Sequence, residues 1–236
     1  MAVNYQNKIV KDGLVLCLDA ADKKSYPGTG TTWFDRSGNG NNGTLAGGPT
    51  FSGDNGGSIV FDGTNDYSLI QANPSFQLGN GYSLCAWVKA SNNPPGYVGI
   101  CGTFDSIPNN YFGQNFSIQP NTQTFSFLVA GWSGGSYNYI NATIQYSIGK
   151  WYYLVGTNSG TNCSFYIDGI LNTTYTQSDS AANCGLTTMF KIGRFYQSND
   201  NYYLQGNIAI VKYYNRALTP QEIKQNFNAT RGRFGI

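Results

Sequence analysis

Short apolar segments separated by clusters of Gly, Asn, Ser and Pro run through most of this chain. That is the pattern of β-strands joined by tight turns. Gly13 to Asp19 is almost continuously apolar, as a strand at the centre of a sheet would be. Tyr82 to Lys89 alternates instead. Tyr82, Leu84, Ala86 and Val88 fall on one face, and Ser83, Cys85, Trp87 and Lys89 on the other. Between these two lies an Asn/Gly-rich stretch, Thr31 to Tyr67, in which Ser37-Gly38-Asn39-Gly40-Asn41-Asn42-Gly43 demands several turns rather than one loose gap. Thr44-Leu45, Ser58 to Phe61 and Tyr67 to Ile70 read as short strands within it, with Trp33 and Phe34 anchoring the loop to the core.

Beyond the Ser91 to Gly96 loop, which Pro94-Pro95 bars from helix and sheet alike, further strands are predicted at a spacing of about 8–12 residues. They are Tyr97 to Thr103, Tyr111 to Ile118, Thr124 to Ala130, Tyr137 to Gln145, Trp151 to Thr157, Ser164 to Ile167, Ile170 to Tyr175, Thr188 to Phe195 and Gly206 to Tyr214. Asp168-Gly169 marks a hairpin. One helix is predicted, from a capping box at Thr219-Pro220-Gln221-Glu222, with Ile223 and Phe227 on its apolar face. The reading is an all-β, two-sheet antiparallel jelly-roll sandwich with one short C-terminal helix. No linker or repeat divides it: residues 1–12 form an arm, 13–230 the sandwich and 231–236 a basic, aromatic tail that reads as a frayed end or a docking peptide.

Composition changes this picture mainly by exclusion. Charged residues make up 11% of the 236 residues, against the usual quarter, while aromatics reach 15%. The surface is therefore one of hydroxyls, amides and rings. A net charge of +2 gives no nucleic-acid footprint. Histidine is absent and Glu222 is the sole glutamate, which removes triad hydrolases and histidine-ligated zinc and leaves only aspartates for two-carboxylate glycosidase chemistry. The five cysteines are odd in number, so one at least has no partner within the chain. Cys17 and Cys85 read as small buried hydrophobes. A Cys163–Cys184 bridge has no spacing pattern behind it. The polar opening and the short run Leu14 to Leu18 are neither signal peptide nor membrane span. An extracellular-type surface without a secretory address suits a virion protein made in the host cytoplasm and released by lysis. The Asn-X-Ser/Thr matches are discounted on the same ground.

Several motifs, weak singly but specific as a set, resemble the concanavalin A-like, laminin G-type superfamily. They are Gly13 to Asp19, Trp33-Phe34-Asp35-Arg36-Ser37-Gly38-Asn39-Gly40, Phe61-Asp62-Gly63-Thr64-Asn65-Asp66-Tyr67, Ser83 to Val88, Trp151-Tyr152-Tyr153, Phe165 to Gly169 and Gly206 to Leu218. The opening, and the ending from Asn215 through Phe234, is similar to members encoded by tailed bacteriophages, where such domains are virion surface proteins. The resemblance implies two face-to-face sheets with ligand-binding rims, but no single function. Glycosidase relatives carry a strand of alternating acidic residues that is absent here. Where many relatives place an acidic residue beside a structural calcium, this chain has Ala209. No metal site or cofactor is therefore expected. Asp62, Asn65 and Asp66 remain weak calcium candidates, and a local Asx-type turn is the favoured reading.

Sugar recognition requires exposed rings on rigid loops beside amides and hydroxyls. The candidates for binding a glycan or protein partner are Trp132, Tyr137 and Tyr139; Asn109 and Tyr111; and Arg194, Tyr196, Tyr202 and Tyr203. Arg231, Arg233 and Phe234 are the candidates for particle docking. Trp87 and Trp151 are assigned to the core. The expected function is a non-enzymatic phage virion structural protein, a capsid decoration or tail-associated one, whose partners are other virion proteins and cell-surface or environmental glycans. A homo-oligomer would fit a capsid, though no residue displays it. A free-standing lectin module is the alternative, and a glycosidase with an aspartate pair is the weaker third.

Overall fold

The computed structural model describes residues 8–76, 81–107, 110–130, 137–176, 189–195 and 202–236, and not the side chains of residues 75, 105–107, 110–112 and 137. In chain order the strands are β1 (Leu14–Asp19), β2 (Thr32–Trp33), β3 (Gly43–Ala46), β4 (Thr50–Ser52), β5 (Ser58–Asp62), β6 (Tyr67–Ile70), β7 (Tyr82–Ala90), β8 (Val98–Gly102) and β9 (Asp105–Ile107). Then follow β10 (Asn110–Ile118), β11 (Thr124–Ala130), β12 (Tyr137–Gln145), β13 (Trp151–Ser159), β14 (Asn162–Ile167), β15 (Ile170–Thr176), β16 (Phe190–Ile192) and β17 (Gln205–Tyr214), and a helix α1 (Pro220–Thr230).

The strands form two antiparallel sheets. The first has the order β15-β14-β13-β7-β17-β5-β4, with β1 also on β17. The second has the order β12-β11-β10-β8-β16-β6-β3-β2, with β9 on β10. This is the expected jelly-roll sandwich. The predicted segments are present; β2, β4 and β9, of two or three residues each, carry too little pattern to be read from sequence.

The alternation in β7 sorts its side chains as predicted. Tyr82, Leu84, Ala86 and Val88 enter the core between the sheets. There Phe116 and Phe127 meet Phe165 across the layer, at ring separations of 5.8 and 6.4 Å. Gly156 makes room for this contact: a Cβ there would lie 2.5 Å from the Phe127 ring.

Cys85 and Trp87 face the other way, into a second apolar cluster on the outside of the first sheet. Helix α1 and the tail cover it. The capping box forms as read: Glu222 N–H donates to Thr219 Oγ1 and Thr219 N–H to Glu222 Oε2. Ile223 and Phe227 are buried as expected, and so are Asn226 and Thr230. Val10 N–H donates to Asn226 Oδ1, and Trp87 Nε1 donates to Thr230 Oγ1 at 2.9 Å, so polar anchors lock the helix over the sheet.

The tail is neither frayed nor extended. Arg231–Phe234 is a 3-10 turn. Phe234 is buried and stacks on Trp87 at 3.9 Å and against Trp151 at 4.8 Å. Arg233 donates to Asp19 Oδ1 at 2.8 Å and to the carbonyls of Asn55 and Gly57. Trp87 and Trp151 are thus core residues, as read. Phe34 is not the anchor expected of it: Trp33 is fully buried, and Phe34, on the opposite side of the backbone, is 43% exposed.

Candidate functional site

The Asn/Gly stretch owes its shape to Asp35. Its Oδ1 accepts from the N–H groups of Cys17 and Ser37, and its Oδ2 from the Ser37 hydroxyl and the Asn41 N–H. One nearly buried carboxylate thereby ties the loop to β1. Gly40 to Asn42 and Ile70 to Asn73 line a cavity of about 290 Å³ beside it. Its polar walls are internally bonded, Asn73 Nδ2 donating to Asn41 Oδ1 at 2.7 Å, and no ring among the described residues lines it.

The Asp62 to Asp66 segment is the Asx-type turn favoured above. The N–H groups of Thr64 and Asn65 donate to Asp62 Oδ1 at 2.7 and 3.4 Å, and Asp62 N–H donates to Asp66 Oδ2 at 3.0 Å. Gly47, at φ 93°, passes so close that a Cβ would lie 2.2 Å from the Asn65 carbonyl oxygen. The backbone hydrogen bond from Thr64 holds the exposed Asp62 carboxyl below the usual range, whereas burial raises that of Asp66. Asp62 pairs with Gln205 at the start of β17. Ala209 lies further along that strand, about 13 Å away at about 3.3 Å per residue. No cluster of three or more His, Cys, Asp or Glu side chains forms among the described residues.

Asp62 also opens onto a second cleft. Here the end of β5, the β7–β8 loop and the start of β17 converge at one rim of the sandwich. Asp62, Gly63, Asn92, Pro94, Pro95, Gly96, Val98, Tyr203 and Gln205 line about 240 Å³. The segment is a loop, as read from Pro94-Pro95, and the two prolines also fix φ at consecutive positions. It is pinned besides: Ser91 N–H donates to the Gln205 carbonyl, and Asn121 N–H to that of Pro94. Tyr203 forms one wall. Behind it Arg194 pairs with Tyr203 in an isolated bridge, its guanidinium 4.7 Å from the Tyr67 ring centroid and 5.7 Å from that of Tyr203. The two rings are 6.4 Å apart. A cation in contact with both rings ties them to each other. The cleft thus offers a braced ring, a carboxylate and two amide side chains, Asn92 and Gln205.

Of the binding candidates, the structure unites Arg194 and Tyr203 there. Tyr202 and Tyr139 go elsewhere, to an apolar patch on the outer face of the second sheet with Phe104, Leu128, Ala130 and Phe195. Tyr139 stacks on Tyr97 at 5.1 Å. Trp132, Asn109 and Tyr196 lie outside the described residues, as do the side chains of Tyr111 and Tyr137. Of the docking candidates, Phe234 and Arg233 hold the tail to the sandwich, and Arg231 is exposed. Sequence reading missed Tyr67, Asn92 and Gln205. The Pro94-Pro95 loop was a local signal for Asn92, and the Phe61 to Tyr67 motif one for Tyr67; Gln205 had none. All four described cysteines, Cys17, Cys85, Cys101 and Cys163, are buried; Cys184 is outside the described residues.

Residues 62–224 match the family described as the concanavalin A-like lectin/glucanases superfamily, and the chain belongs to it. No curated protein sequence matches. Among solved structures, the fold is similar to a Trypanosoma rangeli sialidase in complex with 2,3-difluorosialic acid (17% identity, TM-score 0.70, 94% of this chain, 33% of that one). It is also similar to the ligand binding domain of botulinum neurotoxin serotype D in complex with N-acetylneuraminic acid (14% identity, TM-score 0.70, 92% and 51%). A third is the binding domain of Paraclostridial mosquitocidal protein 1 (18%, TM-score 0.69, 93% and 52%). The chain spans between a third and about half the length of these proteins. At such identities the likeness is one of fold.

Proposed function

We propose that this chain is a non-enzymatic carbohydrate-binding module whose site is the rim cleft beside Tyr203. The observation that carries the reading is the cleft itself. A ring braced by Arg194 and Tyr67 stands beside Asp62, Asn92 and Gln205, which matches what a sugar presents: an apolar C–H face ringed by hydroxyls. The family's lectin members agree with a carbohydrate ligand. Two similar structures hold a sialic acid, which supports sugar binding by the fold and not the chemistry of this cleft. Against catalysis stands the use of both nearby carboxylates within one turn, Asp62 and Asp66 each accepting backbone N–H groups. The sole glutamate is tied to Arg216 at 2.6 Å. Glycan-array binding followed by Tyr203→Ala tests the reading: a loss of about tenfold or more is expected, the size of a buried aromatic anchor. Undiminished binding would overturn the site. Release of reducing sugar, abolished by Asp62→Asn, would overturn the non-enzymatic part.

The finer proposal places the module on a phage particle, made in the host cytoplasm and displayed at the virion surface. Its support is the sequence likeness to phage-encoded members, together with a second, apolar surface available for attachment. Ile170, Leu171 and Tyr175 on the edge strand β15 are 66, 51 and 36% exposed, and Ile144 on β12 is 47% exposed. Co-sedimentation with purified particles is expected, and its absence would leave a free lectin module.

A further inference from the structure

Resting on the glycan reading above, we propose that the rim cleft takes a neutral sugar through a pair of ring hydroxyls, and that it rejects sugars bearing a carboxylate. Among the described residues the cleft has one charged lining side chain, Asp62, and it is an acceptor. With Thr64 and Asn65 donating to Oδ1, its geometry is fixed before any ligand arrives, and that bonding keeps it ionised. A fixed carboxylate is suited to accept from two adjacent hydroxyls. Asn92 and Gln205, on the other sides, have side-chain amides to match the remaining hydroxyls. No cationic side chain lines the cleft among the described residues.

Arg194 is the nearby cation that an acidic sugar would seek. It is not a lining residue, and its guanidinium lies over the rings of Tyr67 and Tyr203. To serve as a carboxylate clamp it would have to leave the contacts that hold Tyr203 upright. Arg194 is therefore a positioning residue for the ring. A ligand carboxylate seated near Asp62 would meet a like charge, which at about 4 Å in water weakens binding about fivefold, and more where water is excluded.

The test uses the intact chain, one galactose-terminated oligosaccharide and one N-acetylglucosamine-terminated one, each with and without a sialic acid cap, read by calorimetry. At least one uncapped form is expected to bind and its capped form to bind at least fivefold more weakly. Asp62→Asn should weaken the uncapped form and narrow the gap. Arg194→Met should weaken the uncapped form too, by loosening Tyr203, and Arg194→Lys should restore part of it. If capped forms bind better and Arg194→Met abolishes only that preference, Arg194 is the clamp: the inference falls while the glycan reading stands. If neither form binds and a broad array is also blank, both fall. Circular dichroism of each variant separates loss of binding from loss of fold.

Discussion

Lys212 is the residue whose situation the surrounding chemistry explains least well. It sits on β17 in register with Cys17 on one side and Cys85 on the other, is 2% exposed, and its Nζ has no hydrogen-bond partner among the described residues. Neither thiol supplies an anion, because burial raises both, that of Cys85 to about 11. An unpartnered buried ammonium costs more than a neutral group, on the order of 3 kcal/mol. Lys212→Met fills the same space without that cost, so it is expected to stabilise the fold by about 1–3 kcal/mol. Urea denaturation checks it, and a fall in midpoint would mean that Lys212 has a role its neighbours do not reveal. Asp35 is the opposite case, a nearly buried carboxylate with four donors. Asn and Gly announce the turns in that loop, but nothing local marks Asp35, two residues before Ser37, as the residue that organises them.

At the scale of elements, the C-terminal segment is where local signals and tertiary role diverge. The capping box and the Ile223/Phe227 stripe were legible because they are local patterns. Phe234 was not, because its partners Trp87 and Trp151 belong to strands far back in the chain and are exposed to it only once the first sheet has formed. Glu222 binds this segment to the strand before it. The Arg216 guanidinium, bonded through both nitrogens, lowers its carboxyl from 4.5 to about 2. A group whose folded pKa is depressed stabilises the fold above its unfolded value and loses that contribution as the pH falls through the folded one. The difference in thermal midpoint between the parent chain and Glu222→Gln should therefore be constant above pH 4.5 and shrink towards pH 2. Thermal scans across that range check it. A difference that widened on acidification would contradict the pairing. Asp66, raised by burial, titrates with the opposite sign, which is why the comparison is made between variants rather than read from one acid curve.

At the scale of the molecule, the jelly roll follows from alternation, spacing and turn chemistry, all of which are local and repeated along the chain. The rim cleft is not local. Asp62, Asn92 and Tyr203 come from three strand ends that only the completed sandwich brings together. A list of candidate binding residues could include Arg194 and Tyr203, yet it could not separate them from Tyr139 and Tyr202, which pack on the second sheet's outer face. The fold also leaves two distinct surfaces, a polar cleft at one rim and the apolar β12–β15 edge. A bound sugar and a bound particle would therefore occupy different places. The central claim is the first of these. The most direct measurement is a backbone amide NMR titration with whichever glycan the array returns. Shifts centred on Asp62, Asn92, Gly96, Tyr203 and Gln205, saturating with ligand, are the expected result. Shifts centred instead on Ile144, Ile170 and Leu171, or none at all, would contradict it.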